Sequence, residues 1–145
     1  MSEGSFTGFA HPAVPTAEEI RTWALDPISV APDGRQWDLT LATDDLAETW
    51  LDLAADATCP KRSFALHVLY IYSGDAVRTK FRVHPRKRLD KLLDKSREIR
   101  DQYVELWAAN TQALIRQPDL FDYDEWCNGG LVRRPRRLNP APSRR

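Results

Sequence analysis

The stretch between Pro60 and Pro85 constrains the fold more than any other. At 100° per residue, Leu66, Val68, Leu69, Tyr70, Ile71 and Tyr72 fall all the way round a helix axis. A helix apolar on every side has to be covered on every side, so residues 61–82 read as a buried central helix. At this length it is about 30 Å long, enough to span a small domain. After Ser73-Gly74-Asp75 the sequence turns polar, which predicts that the second half emerges into solvent. Gly74 lowers helix propensity by roughly 1 kcal/mol, and its presence predicts a close helix crossing or a kink.

The covering elements are legible as further helices. Thr16-Ala-Glu-Glu19 fits a capping box and opens a helix over 17–25, with Ile20, Trp23 and Ala24 on one side. Asp26-Pro27 stops it. Thr43, Asp44 and Asp45 suit a helix start and lead into a helix ending near residue 55, with Leu46, Trp50 and Leu53 at helical spacing. Past His84-Pro85, residues 86–96 form an amphipathic helix, Leu89, Leu92 and Leu93 inward and Lys87, Lys91 and Lys95 along its outer face. Residues 97–117 carry the last long stripe, from Ile99 through Tyr103, Trp107 and Asn110 to Leu114.

Between these, Pro32-Asp33-Gly34 signals a turn, and the alternation of Trp37, Leu39 and Leu41 predicts a short extended segment. Residues 119–130 read as an acidic-aromatic loop with one helical turn at 123–127, closed by Asn128-Gly129-Gly130. The expected fold class is all-α: a compact bundle or short stack of helical hairpins, four to five helices around the buried central one. At 145 residues, one domain is expected. Residues 1–15 form an irregular N-terminal arm that Phe6 and Phe9 dock, 16–132 the domain, and 133–145 a mobile basic Arg/Pro tail.

Several kinds of chemistry are disfavoured. The longest apolar run, residues 64–72, contains His67 and is far short of the ~20 residues of a membrane helix. No charged-then-apolar leader opens the sequence, so a soluble, cytoplasmic protein is expected, with no membrane contact. His11, His67, His84, Cys59 and Cys127 lack metal-ligand spacing, and the acids at 119–125 lack the EF-hand pattern. Neither GxxxxGK[ST] nor GxGxxG is present. No metal, no cofactor and no catalytic residue is therefore assigned. An enzyme of unfamiliar type would have to use His67 with Asp75, or Asp122 and Asp124 with Cys127. His67, Asp75 and Asn110 read more simply as a buried structural polar network.

Net charge is zero, but it is segregated. Residues 1–56 carry −9, 57–100 carry +8, 101–132 carry −5 and 133–145 carry +6. Any partner therefore meets a polarised surface. Arg78, Lys80, Arg82, Arg86, Lys87 and Arg88 surround the break at His84-Pro85, and Arg133, Arg134, Arg136 and Arg137 extend the positive charge into the tail. These are the candidate anion- or nucleic-acid-binding residues. The helix–break–helix outline resembles a helix-turn-helix, but Pro sits in the turn and Asp90 and Asp94 lie on the second helix, where phosphates would repel them. Trp126 with Asp122, Asp124 and Glu125 forms a candidate partner-binding patch, because Trp at the edge of a core often anchors partners. The leading expectation is a non-enzymatic adaptor or regulatory interaction domain, with a protein partner or a second copy of itself. The alternative is an anion or nucleic-acid binder.

Overall fold

The computed structural model describes residues 8–11, 14–30 and 37–127. Among these the chain is all-helical, with seven α-helices and one 3-10 turn: α1 (Ala17–Leu25), α2 (Trp37–Thr40), α3 (Ala47–Ala55), α4 (Arg62–Arg78), α5 (Arg86–Ser96), α6 (Gln102–Arg116), the turn Pro118–Leu120, and α7 (Tyr123–Cys127). The Pro32-Asp33-Gly34 turn, the Asn128-Gly129-Gly130 turn, Phe6 and the 133–145 tail lie outside the described residues.

Helix α1 begins with the expected capping box. The Glu19 amide donates to the Thr16 hydroxyl (3.1 Å) and the Thr16 amide to the Glu19 carboxylate (2.9 Å). The other Glu19 oxygen accepts from the Ala10 amide (3.0 Å). This bond, with that from Thr16, lowers the Glu19 pKa and ties the N-terminal arm to the helix. Phe9 completes the attachment, its ring 5.3 Å from that of Trp37.

Helix α4 is the buried central element, packed by α3 and α6 and crossed by α7. Its second half does not emerge into solvent: Ser73, Gly74, Ala76 and Val77 are buried. Trp107 covers Ser73 and Trp126 covers Gly74, and the Ser73 hydroxyl is satisfied by donating to the Leu69 carbonyl (3.1 Å) and accepting from the Trp107 indole (3.2 Å). The helix also stops at Arg78, before residue 82. Lys80 and Phe81 adopt left-handed backbone angles (φ 56° and 63°), and the Phe81 amide closes the helix on the Ala76 carbonyl at 2.7 Å. Two consecutive left-handed residues without glycine are strained by roughly 1–2 kcal/mol each. Packing of the Phe81 ring against the core, with the Arg86 guanidinium 5.2 Å from it, offsets that strain.

The N-cap residue and the first residue of α4 lock the neighbouring elements. Lys61 closes the end of α1 by donating to the carbonyls of Trp23 (3.1 Å) and Asp26 (2.5 Å) and to the Ser29 hydroxyl (2.6 Å). Arg62 donates to the Ala54 carbonyl (2.7 Å), pairs with Asp101 and lies 4.8 Å from the Tyr103 ring. Asp101 in turn caps α6 through the amides of Tyr103 and Val104. That cap explains why α6 starts at Gln102, after a turn, and not at residue 97.

The expected extended segment is overturned as well. Residues 37–41 are not extended; α2 is a single helical turn, with Trp37 at its start and Leu41 just after it buried and Leu39 between them exposed. Their spacing is that of one helical turn, four residues apart.

Candidate functional site

Much of the segregated charge meets within the molecule. Asp52 pairs with Arg21 (3.2 Å) and Lys95 (3.1 Å), and Glu48 pairs with Lys95 (3.4 Å) and Lys91 (3.8 Å). The resulting chain Arg21–Asp52–Lys95–Glu48–Lys91 joins α1, α3 and α5. It absorbs negative charge of the first block into positive charge of the second.

The α4–α5 turn is less compensated. Arg78 pairs with Asp75 (2.8 Å) and Arg86 with Asp90 (3.1 Å). Arg88 reaches only a backbone carbonyl, that of Asp44, at 3.5 Å. Lys80, Arg82 and Lys87 are exposed, and no carboxylate lies within 4.0 Å of any of them among the described residues. Of the expected cationic residues, these three and Arg88 therefore remain free to meet a partner. Arg133, Arg134, Arg136 and Arg137 lie outside the described residues.

A buried anchor holds this turn. One oxygen of Asp44 accepts from the Tyr72 hydroxyl (2.7 Å) and lies 2.9 Å from His84 Nδ1. The Tyr72 and His84 rings are 4.1 Å apart and inclined by 31°. Burial first, and then the bond to Asp44, push the Tyr72 pKa well above its ordinary value, so the phenol stays a donor. Two open clefts flank the anchor. One, of ≈ 340 Å³, runs between α3 and α5, past Tyr72, Glu48, Lys87 and Lys91; the other, of ≈ 380 Å³, opens beside Thr43, Val83 and His84. Asp44 and Arg88 line both.

Sequence reasoning did not single out Asp44 or Tyr72 for this role, because they are 28 residues apart and Asp44 has the ordinary position of an acid near a helix start. In the sequence His84 stands out only at the chain break and among histidines that lack metal-ligand spacing.

The other candidate residues do not form a common site. His67 pairs with the Asp38 carboxylate at 2.8 Å and is half-exposed, Asp75 takes Arg78, and the Asn110 amide donates to the Tyr70 hydroxyl at 3.0 Å. The expected single buried network is thus three separate contacts: His67 reaches across to α2, Asp75 pairs along α4, and Asn110 joins α6 to α4. Trp126 is fully buried and cannot be an exposed anchor. Its indole donates to the Tyr70 carbonyl (2.5 Å) and its ring packs edge-on to Tyr70. Asp122, Asp124 and Glu125 remain on the surface, with Leu120 and Tyr123 as the exposed apolar residues beside them. Trp23, Trp37 and Trp50 are likewise core residues.

Neither flanking cleft is lined by His67, Asp75, Asp122 or Asp124. The Cys59 thiol is buried beside the Ala24 carbonyl, and burial pushes its pKa up, away from nucleophilic use. Among the described residues no group of three or more His, Cys, Asp or Glu is placed to hold a metal ion. No helix there is long and apolar enough to cross a membrane. An exposed apolar strip, Leu25, Ile28 and Val30, follows the end of α1. Comparison of the chain with protein-family models, with curated proteins and with solved structures finds no match.

Proposed function

We propose that this chain is a non-enzymatic adaptor or regulatory domain that docks an acidic protein surface on the α4–α5 turn and the start of α5. The observation that carries the reading is the cluster of Lys80, Arg82, Lys87 and Arg88, none of them ion-paired among the described residues, on a backbone pinned from beneath by Asp44, His84 and Tyr72. Neighbouring like charges repel, so this cluster contributes nothing to stability that a mixed surface would not supply better. Its value lies in attracting an opposite charge, which steers encounter and fixes orientation. A turn already held rigid loses little conformational freedom on binding. Val83, 52% exposed in the middle of the stretch, adds an apolar contact at its centre.

Nucleic acid is the other polyanion such a face would attract. Affinity capture with the full chain separates the two. From nuclease-treated extract of its own cells, the native chain is expected to retain a protein in fixed stoichiometry. The K80E/R82E/K87E variant, folded by circular dichroism, is expected to lose it. Equal recovery by both chains, or recovery only before nuclease treatment, overturns the reading.

A further inference from the structure

We infer that the acidic surface taken by this cationic face is the α7 end of a second copy of the chain. The inference rests on the docking reading above and names its partner. The two surfaces are alike in construction and opposite in sign. On one, Lys80, Arg82 and Lys87 lie about exposed Val83; on the other, Asp119 and Asp122 lie about Leu120, which is 53% exposed, and Tyr123, 39% exposed. Neither Asp119 nor Asp122 has a cation within ion-pairing distance among the described residues.

The two surfaces do not cancel one another within the chain, because α7 is seated on α4 and no ion pair joins Asp119 or Asp122 to the 80–88 stretch. The acidic end is also held in place: Trp126 and Phe121 lock it against Gly74, so its exposed groups are presented on a fixed base. Complementary but different patches make a heterologous contact. Such a contact closes into a ring, or into a pair when both contacts form at once, and otherwise runs on as a chain of copies. Charge provides the recognition, so assembly weakens as salt rises.

Sedimentation of the full chain tests this over micromolar to millimolar concentrations, at low salt and at about 0.5 M salt. The mean mass is expected to rise with concentration at low salt and to fall back at high salt. K80E/R82E/K87E alone and D119K/D122K alone are each expected to associate at least about tenfold more weakly. Mixed in equal amounts they are expected to assemble one to one, since the native α7 end of the first chain meets the native cationic face of the second, and the reversed face of the first meets the reversed α7 end of the second. Should a reversed chain fail to fold, K80Q/R82Q/K87Q takes its place, with loss of assembly expected. A native chain that stays monomeric throughout, or a reversed variant that assembles as the native chain does, overturns the inference. If the native chain is monomeric while capture from extract still depends on Lys80, Arg82 and Lys87, the second copy is excluded and the docking reading stands.

Discussion

The indole of Trp126 occupies the space that a β-carbon on Gly74 would need, with its Cδ1 and Nε1 both 2.6 Å from that position. Phe121 is 3.0 Å from it. A glycine in the middle of a buried helix is thereby explained: its lower helix propensity is offset by the burial of an entire Trp.

Gly74→Ala is therefore expected to destabilise, although Ala is the better helix former. Overpacking against a buried indole costs about 1–3 kcal/mol. Placed in a Trp126→Ala background, the same change is expected to be neutral or to stabilise by up to about 1 kcal/mol. Urea melts of the four chains check the reversal of sign, and an equal loss in both backgrounds contradicts the packing described.

Loss of the Asp44 carboxylate leaves two buried donors without their acceptor. Asp44→Ala is expected to lower stability by about 2–4 kcal/mol. Amide exchange over 79–85 is expected to accelerate more than over the α1–α2 end of the core. Uniform acceleration throughout would mean that Asp44 does not act through His84 and Tyr72.

Two tyrosines resist ionisation. Burial lifts the Tyr70 pKa to about 12, and burial with the Asp44 bond lifts that of Tyr72 further. In the unfolded chain both ionise near pH 10. Above that pH the folded state holds more protons than the unfolded one, so stability falls as pH rises, by about 1.4 kcal/mol per pH unit for each tyrosine. Below pH 10 this contribution is fully present. Tyr72→Phe is expected to flatten the slope between pH 10 and 12 by about one proton, measured by chemical denaturation at stepped pH.

The ion-pair chain through Asp52, Lys95 and Glu48 is mostly exposed, with side chains 37–49% accessible at these three residues. Lys95→Met is expected to cost less than about 1 kcal/mol at low salt and nothing measurable at about 0.5 M salt. A larger loss that persists in salt would assign Lys95 a packing role in place of an electrostatic one.

The local rules were legible where their partners were close in sequence. Thr16 and Glu19 sit three residues apart and specify the start of α1; Pro85 and the spacing of Leu89, Leu92 and Leu93 specify α5. Gly74 announced a close crossing, but not by what, since Trp126 follows only 52 residues later in a run whose acids read as surface. Trp37, Leu39 and Leu41 misled because three alternating apolar residues are too few to tell a strand from one helical turn. The anchor of the candidate site was illegible for a different reason. Asp44, Tyr72 and His84 have ordinary local positions, and only the packing of α3, α4 and α5 gives them a shared oxygen. Block charges showed polarity but not pairing, so Glu48 and Asp52 were indistinguishable from acids left free.

The central claim is that the α4–α5 turn of one copy docks the α7 end of another, and that the exposed apolar strip of Leu25, Ile28 and Val30 takes no part. Hydrogen exchange of the full chain, compared between dilute and concentrated solution at low salt, tests it most directly. Slower exchange at 79–91 together with 118–126 is the result expected. Protection at 25–30, or no difference between the two concentrations, would contradict it.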